Sequence, residues 1–114
     1  MESLEFEHAL FLEYMRLFDK GEFYESHEAM EKLWIKHGRR KGDAYQGYVQ
    51  LAACLEQHKR GQTAGAERLF VKAREKLDGI RDDAPGTAAI LNEIAVFLEA
   101  KSSVLPYPKF KGTK

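Results

Sequence analysis

The chain has one cysteine, Cys54, so it can form no intrachain disulfide, and a reducing, cytoplasmic compartment is the expectation. Its three prolines are Pro85, Pro106 and Pro108, which leaves everything before Pro85 free of the residue that breaks helices. There is no charge imbalance: 18 Lys and Arg face 18 Asp and Glu. A neutral chain lacks the broad positive field that duplex nucleic acid demands, so nucleic acid is disfavoured as a partner. No apolar run approaches the roughly 20 residues needed to span a bilayer, and the acidic start from Met1 to His8 does not have the layout of a signal peptide. No strand-like alternation and no glycine-rich phosphate loop occur. A 44% hydrophobic content excludes disorder, and 114 residues make one domain with one core.

What is present is helical periodicity. Leu4, His8, Phe11, Met15 and Phe18 recur at three- and four-residue steps and predict an amphipathic first helix, ended at Asp19, Lys20 and Gly21. A second helix is predicted over 22–37 and stopped by Gly38. Arg39, Arg40 and Lys41 form a short basic loop, and Asp43 is suited to cap a third helix over 44–59. That helix is apolar or small almost all round for three turns, which marks it as central. Gly61 breaks it, Thr63 is placed to cap a fourth helix, and Asp82 to Pro85 are placed to open a fifth, with its stripe at Leu91, Ile94, Ala95 and Leu98. Residues 1–103 thus form the bundle domain and 104–114 an extended tail, whose apolar residues are expected to dock on the bundle. Gly21, Ser26, Met30 and Leu33 align with Gly61, Ala66, Phe70 and Ala73 at an offset of 40 residues. The expected fold is all-α: a compact antiparallel bundle of about five helices, the first four arranged as two tetratricopeptide-like helix pairs.

The chemistry concentrates on the second and third helices. His27 and Glu31 sit one turn apart amid Phe23, Met30 and Trp34, with Glu28 adjacent. Polar groups on such a face need partners. Gln46 and Gln50 form a second pair one turn apart on the neighbouring helix, with Gln57 further along, and are placed to face His27 and Glu31. A zinc protease would need a second histidine where Glu31 stands, and a di-iron bundle needs Glu-x-x-His on two helices. His27 and Glu31 are therefore weak metal candidates, no cofactor is implied, and the favoured reading is a His27–Glu31 pair satisfied inside the bundle by Gln or Tyr. Trp34 is expected to be largely buried, with its indole N–H seeking an acceptor. Cys54, in an apolar run, reads as a core residue.

Three ordered motifs resemble one family: Phe18 to Trp34 (FDKGEFYESHEAMEKLW), Tyr45 to Gln50 (YQGYVQ) and Gly61 to Ala66 (GQTAGA). They are similar to the signatures of the domain of unknown function 309, a family of small bacterial and archaeal proteins, in which Asn usually stands in place of Gln62. The resemblance implies an all-helical bundle and assigns no activity. It maps the family's signature onto Gly21, His27, Glu28, Glu31, Trp34, Gln46, Gly47, Gln50, Gly65 and Ala66. Two functional classes follow. The first is a non-enzymatic interaction or scaffold domain, with a protein partner or a second copy of itself. The second is a ligand- or metal-binding protein, or an enzyme, using the cluster His27, Glu31, Gln46 and Gln50. The missing catalytic set favours the first.

Overall fold

The structure is a computed structural model that describes residues 8–82, 84, 86–100 and 106–110. Among these residues it holds five helices and no strand: α1 (Ala9–Asp19), α2 (Phe23–Lys36), α3 (Ala44–Lys59), α4 (Thr63–Leu77), followed by a 3-10 turn (Asp78–Ile80), and α5 (Thr87–Ala100). The protein is a helical bundle in which α3 packs between α2 and α4.

Each boundary has a local cause. His8 stands outside the stripe expected of it: it is the N-cap of α1, and its Nδ1 accepts the Leu10 N–H at 3.0 Å. Leu4 lies outside the described residues. The turn from α1 to α2 recurs between α3 and α4, 40 residues on. Gly21 and Gly61 adopt φ of +79° and +81°, where a side chain would be strained. Gly21 N–H donates to the Phe18 carbonyl and Glu22 N–H to that of Leu17; Gly61 and Gln62 donate likewise to His58 and Gln57. Both are Schellman endings, which satisfy the last carbonyls of one helix while starting the next. With so little chain between the helices, Gln62 takes the N-cap position and Thr63 becomes the first helical residue rather than the cap expected of it. The small Ser26 and Ala66, equivalent in the two hairpins, are fully buried.

The last helix starts later than the sequence pattern suggests. Gly86 at φ +70° interrupts the chain, and α5 begins at Thr87; Pro85 lies outside the described residues. Tyr48 of α3 bonds Thr87, and His58 of α3 packs on Phe97 at 4.7 Å, so α5 runs parallel to α3. The tail residues Tyr107 and Phe110 dock on the bundle. Phe110 is buried against Tyr14 and Phe18, and Tyr107 packs on Phe23 and Phe97.

A chain of buried polar groups ties four helices together. Ser26 Oγ (α2) donates to the Tyr14 carbonyl (α1) at 2.9 Å, Tyr14 Oη donates to the Tyr48 carbonyl (α3) at 2.8 Å, and the Tyr48 and Thr87 (α5) hydroxyls are hydrogen-bonded to each other at 2.7 Å. Burial pushes the Tyr48 phenol up to about 12 from 10.0 and the Cys54 thiol up to about 12 from 9.0, and it raises Tyr14 well above 10.0. All three fold as neutral groups. Their stabilising effect is complete below the unfolded pKa values and is lost as pH rises from about 9 through 12, because the unfolded chain releases these protons first. Tyr48 alone accounts for a loss of about 3 kcal/mol over that range. Denaturant midpoints measured from pH 8 to 12 will fall steadily above pH 9, and Tyr48→Phe will flatten that fall. A midpoint that stays level to pH 12 would show that these phenols are not buried.

Candidate functional site

Packing on both sides of α3 shields most of it but leaves one stripe half-buried: Gln46, Gln50, Ala53 and Gln57, at steps of four, three and four residues. A half-buried stripe also runs along α2, at His27, Glu31 and Trp34, and α4 carries Gly65, Leu69 and Lys76 in the same state. Helices α2 and α4 both pack on α3, so these three half-buried rows are the candidate walls and floor of one trough. The small Gly65 lets α4 lie close to the floor, since a Cβ there would come within 2.9 Å of Gln57 Oε1. Gly47, on the side of α3 toward α4, is tighter still: a Cβ there would meet the buried Leu77 side chain at 2.9 Å and Lys76 Cβ at 3.0 Å.

The candidate residues divide into three groups. His27 and Gln50 keep polar atoms that are shielded from water and have no hydrogen-bond partner among the described residues: His27 Nδ1 and Gln50 Oε1. Gln46 is committed to structure. Its backbone N–H donates to Asp43 Oδ1 at 2.9 Å, and its own Oε1 accepts the N–H of Gly42, the residue before the cap, at 2.7 Å, so the two bonds close the loop into α3. It therefore does not join His27 and Glu31 as the spacing suggested. Glu28 is exposed and hydrogen-bonds the Tyr24 hydroxyl one turn before it, which raises the Tyr24 pKa. Glu31 is half-buried, not core, and makes no side-chain hydrogen bond among the described residues. The expected satisfied network of His27, Glu31 and the glutamines is absent among those residues, because these side chains stand at the edge of the α2–α3 contact and not inside it.

Trp34 is half-buried, which corrects the expectation of a largely buried ring. Its indole N–H finds an acceptor in the Arg40 carbonyl at 3.1 Å, pinning the basic loop to α2. Cys54 is a core residue, and its raised pKa keeps it an unreactive thiol. Among the described residues no group of three or more His, Cys, Asp or Glu side chains is placed to hold a metal ion. Of this α4 row, the sequence motif marks only Gly65. The 65, 69, 76 stripe is an i, i+4, i+11 pattern of mixed chemistry, which hydropathy alone does not mark.

The motif residues lining this trough coincide with the comparisons. A family model described as "Domain of unknown function (DUF309)" matches residues 11–69, which is 59 of the 114 residues. The chain belongs to this family. A relative is "Uncharacterized protein YpuF" of Bacillus subtilis (strain 168), 38% identical over 53 residues, or 46% of this chain and 30% of that protein. The match thus spans under a third of the relative's length. No solved structure matches. The matched segment runs from α1 into α4 and carries the whole floor and the α2 wall of the trough.

The two helix-interior glycines will respond oppositely to alanine. Alanine favours a helix by about 1 kcal/mol over glycine. At Gly47 the added methyl meets packed, buried Leu77, and overpacking of that kind costs about 1–3 kcal/mol. At Gly65 it meets only the far end of a half-buried glutamine. Thermal unfolding of the two variants will show Gly47→Ala destabilised and Gly65→Ala unchanged or stabilised. Equal shifts of the same sign would refute the close α3–α4 contact.

Proposed function

We propose that the chain is a non-enzymatic recognition domain whose ligand surface is the α2–α3–α4 trough, centred on His27, Glu31 and Gln50. The observation that carries this reading is the contrast between two sets of buried polar atoms. In the core, Ser26, Tyr14, Tyr48 and Thr87 are hydrogen-bonded to one another in sequence. Shielded atoms without partners among the described residues are His27 Nδ1 and Gln50 Oε1, both in the trough, and His58 Nδ1, which packs beside Phe97. A network kept to fix helix register would be satisfied, because an unpartnered buried polar atom costs about 1–3 kcal/mol. Residues that lower stability without a structural return are typical of binding surfaces. The repeated helix-turn-helix hairpins, with small residues at equivalent buried positions, support a tetratricopeptide-like organisation, which presents a concave face of this kind. The single, buried thiol agrees with a cytoplasmic setting.

The ligand groups that suit this trough are hydrogen-bonding and polar: the imidazole and carboxamides can donate, and Glu31 can accept. Two measurements test the reading. Gln50→Leu should hold or raise the free energy of unfolding, by up to about 1 kcal/mol, and His27→Ala should leave the bundle folded. If either variant loses more than about 2 kcal/mol, the pair is structural. In the second, the isotope-labelled chain is titrated with pools of short, soluble polar peptides while its backbone, carboxamide and indole signals are followed. Shifts confined to Gln50, Gln57, His27 and the sole tryptophan, Trp34, are expected. Shifts elsewhere, or none from any pool, would remove the trough as a peptide-recognition site.

A further inference from the structure

One open groove runs between α4 and α5. Glu67, Phe70, Val71 and Arg74 line it from α4, and their spacing puts them on one face of that helix. Ala95, Leu98 and Glu99 line it from α5. Val96 borders a different groove, with Pro106 and Pro108, and takes no part. The direction of the two helices orders the charges. Gly47 lies against Leu77 and Gly65 against Gln57, so α4 runs antiparallel to α3. Tyr48 meets Thr87 and His58 meets Phe97, so α5 runs parallel to α3 and antiparallel to α4. Glu99, near the end of α5, therefore lies toward the Glu67 end of the groove, and Arg74 stands at the other end. The groove is acidic at one end, apolar in the middle and basic at the other. Val71 is 56% exposed at its centre, and Arg74 lies over the Phe70 ring, 5.6 Å from its centroid. Glu67, Arg74 and Glu99 form no ion pair among the described residues.

We infer that this groove is the two-fold interface of a homodimer, in which α4 of one copy lies antiparallel to α4 of a second and each Val71 enters the partner's groove. Charge complementarity selects a second copy as the occupant. A two-fold axis brings the same face of both copies together in reverse order. An axis passing between Phe70 and Val71 is midway between Glu67 and Arg74. It sets the acidic end of each groove against the partner's Arg74, twice over. The same axis stacks the apolar centres, so Val71 is covered by the partner's Phe70 and Val71, with Ala95 and Leu98 as the floor. A face that is acid, apolar and base in order is complementary to itself only in this antiparallel arrangement. A parallel one would set like charges together, and like charges opposed across a contact select against it. The contact buries the exposed valine and leaves the α2–α3–α4 trough, on the other edge of α4, outside the interface. It does not depend on the role of the trough.

Sedimentation equilibrium of the full chain tests the inference. A dimer is expected at low salt, with a dissociation constant that rises with ionic strength. Val71→Glu should raise that constant by about tenfold or more. Arg74→Glu and Glu67→Arg should each weaken self-association, because each sets like charges together at both ends of the contact. An equal mixture of those two variants should dimerise again, since opposite signs then meet at both ends. All three side chains are exposed, so circular dichroism should stay native throughout. A chain that is monomeric up to about 1 mM at low salt overturns the proposal. So does a dimer indifferent to Val71→Glu, or a mixture that associates no more strongly than either charge variant alone.

Discussion

The bundle depends on a single buried relay of hydrogen bonds, from Ser26 through Tyr14 and Tyr48 to Thr87. Apolar contacts alone would tolerate helices sliding along one another, since burial is non-directional. A hydroxyl taken out of water has to meet its acceptor within a few tenths of an ångström or lose the bond. This relay joins α2, α1, α3 and α5 in order, so the position of each helix along its axis is set by the next. Around it the aromatic rings of Phe11, Tyr14, Phe18, Tyr48 and Phe110 pack edge to face at 4.9–6.0 Å, a geometry that also resists sliding. The tail reaches this cluster through Phe110, whose backbone N–H donates to Asp19 Oδ1. Helix α4 lies outside the relay and is held by close approach at Gly47, Ala66 and Ala73.

This division of labour explains how one side of α3 stays available. The helix is surrounded by α2, α4, α1 and α5, and its core-facing positions (Tyr48, Leu51, Ala52, Leu55) are closed off. The remaining stripe, Gln46 to Gln57, stays half-buried between the two helices that pack on α3, α2 and α4. Glutamine suits such a floor. Its stem covers the neighbouring apolar surface, and its amide offers both a donor and an acceptor. At the loop end the Gln46 acceptor is taken by the Gly42 N–H, so recognition capacity is concentrated in the middle of the trough, at Gln50 and His27.

The sequence was legible where the controlling interactions are local. Asp43 caps α3 as its residue type requires, glycines end α1 and α3, and the apolar run marks α3 as central. Helical periodicity places His27 and Glu31 beside apolar neighbours, but it does not say whether another helix covers them. Here Met30 and Ala29 are buried, while His27, Glu31 and Trp34 stay half-buried. The pattern Asp43-x-x-Gln46 is itself a capping-box signature, and it assigns Gln46 to the loop before any tertiary contact is considered. The relay was not legible, because Ser26, Tyr14 and Thr87 are brought together from helices far apart in sequence, and a lone serine or threonine gives no periodic signal. The start of α5 was misplaced because a proline pattern marks where a helix can begin, while the left-handed Gly86 decides where it does.

Helix α4 carries the last part of the argument. Its inner face is built from small residues, Ala66 and Ala73, with Phe70 and Leu77 between, so it sits close to α3 while exposing most of its circumference. One edge, with Gly65, Leu69 and Lys76, forms a wall of the trough; the opposite edge, with Val71 and Arg74, borders α5. A thin helix held by close packing, and not by the buried relay, can present two chemically different edges without disturbing the core. Substitutions on either edge therefore act on one surface at a time. Substitutions at Gly47 or Ala73 would act on both together, because they set how far α4 stands from α3.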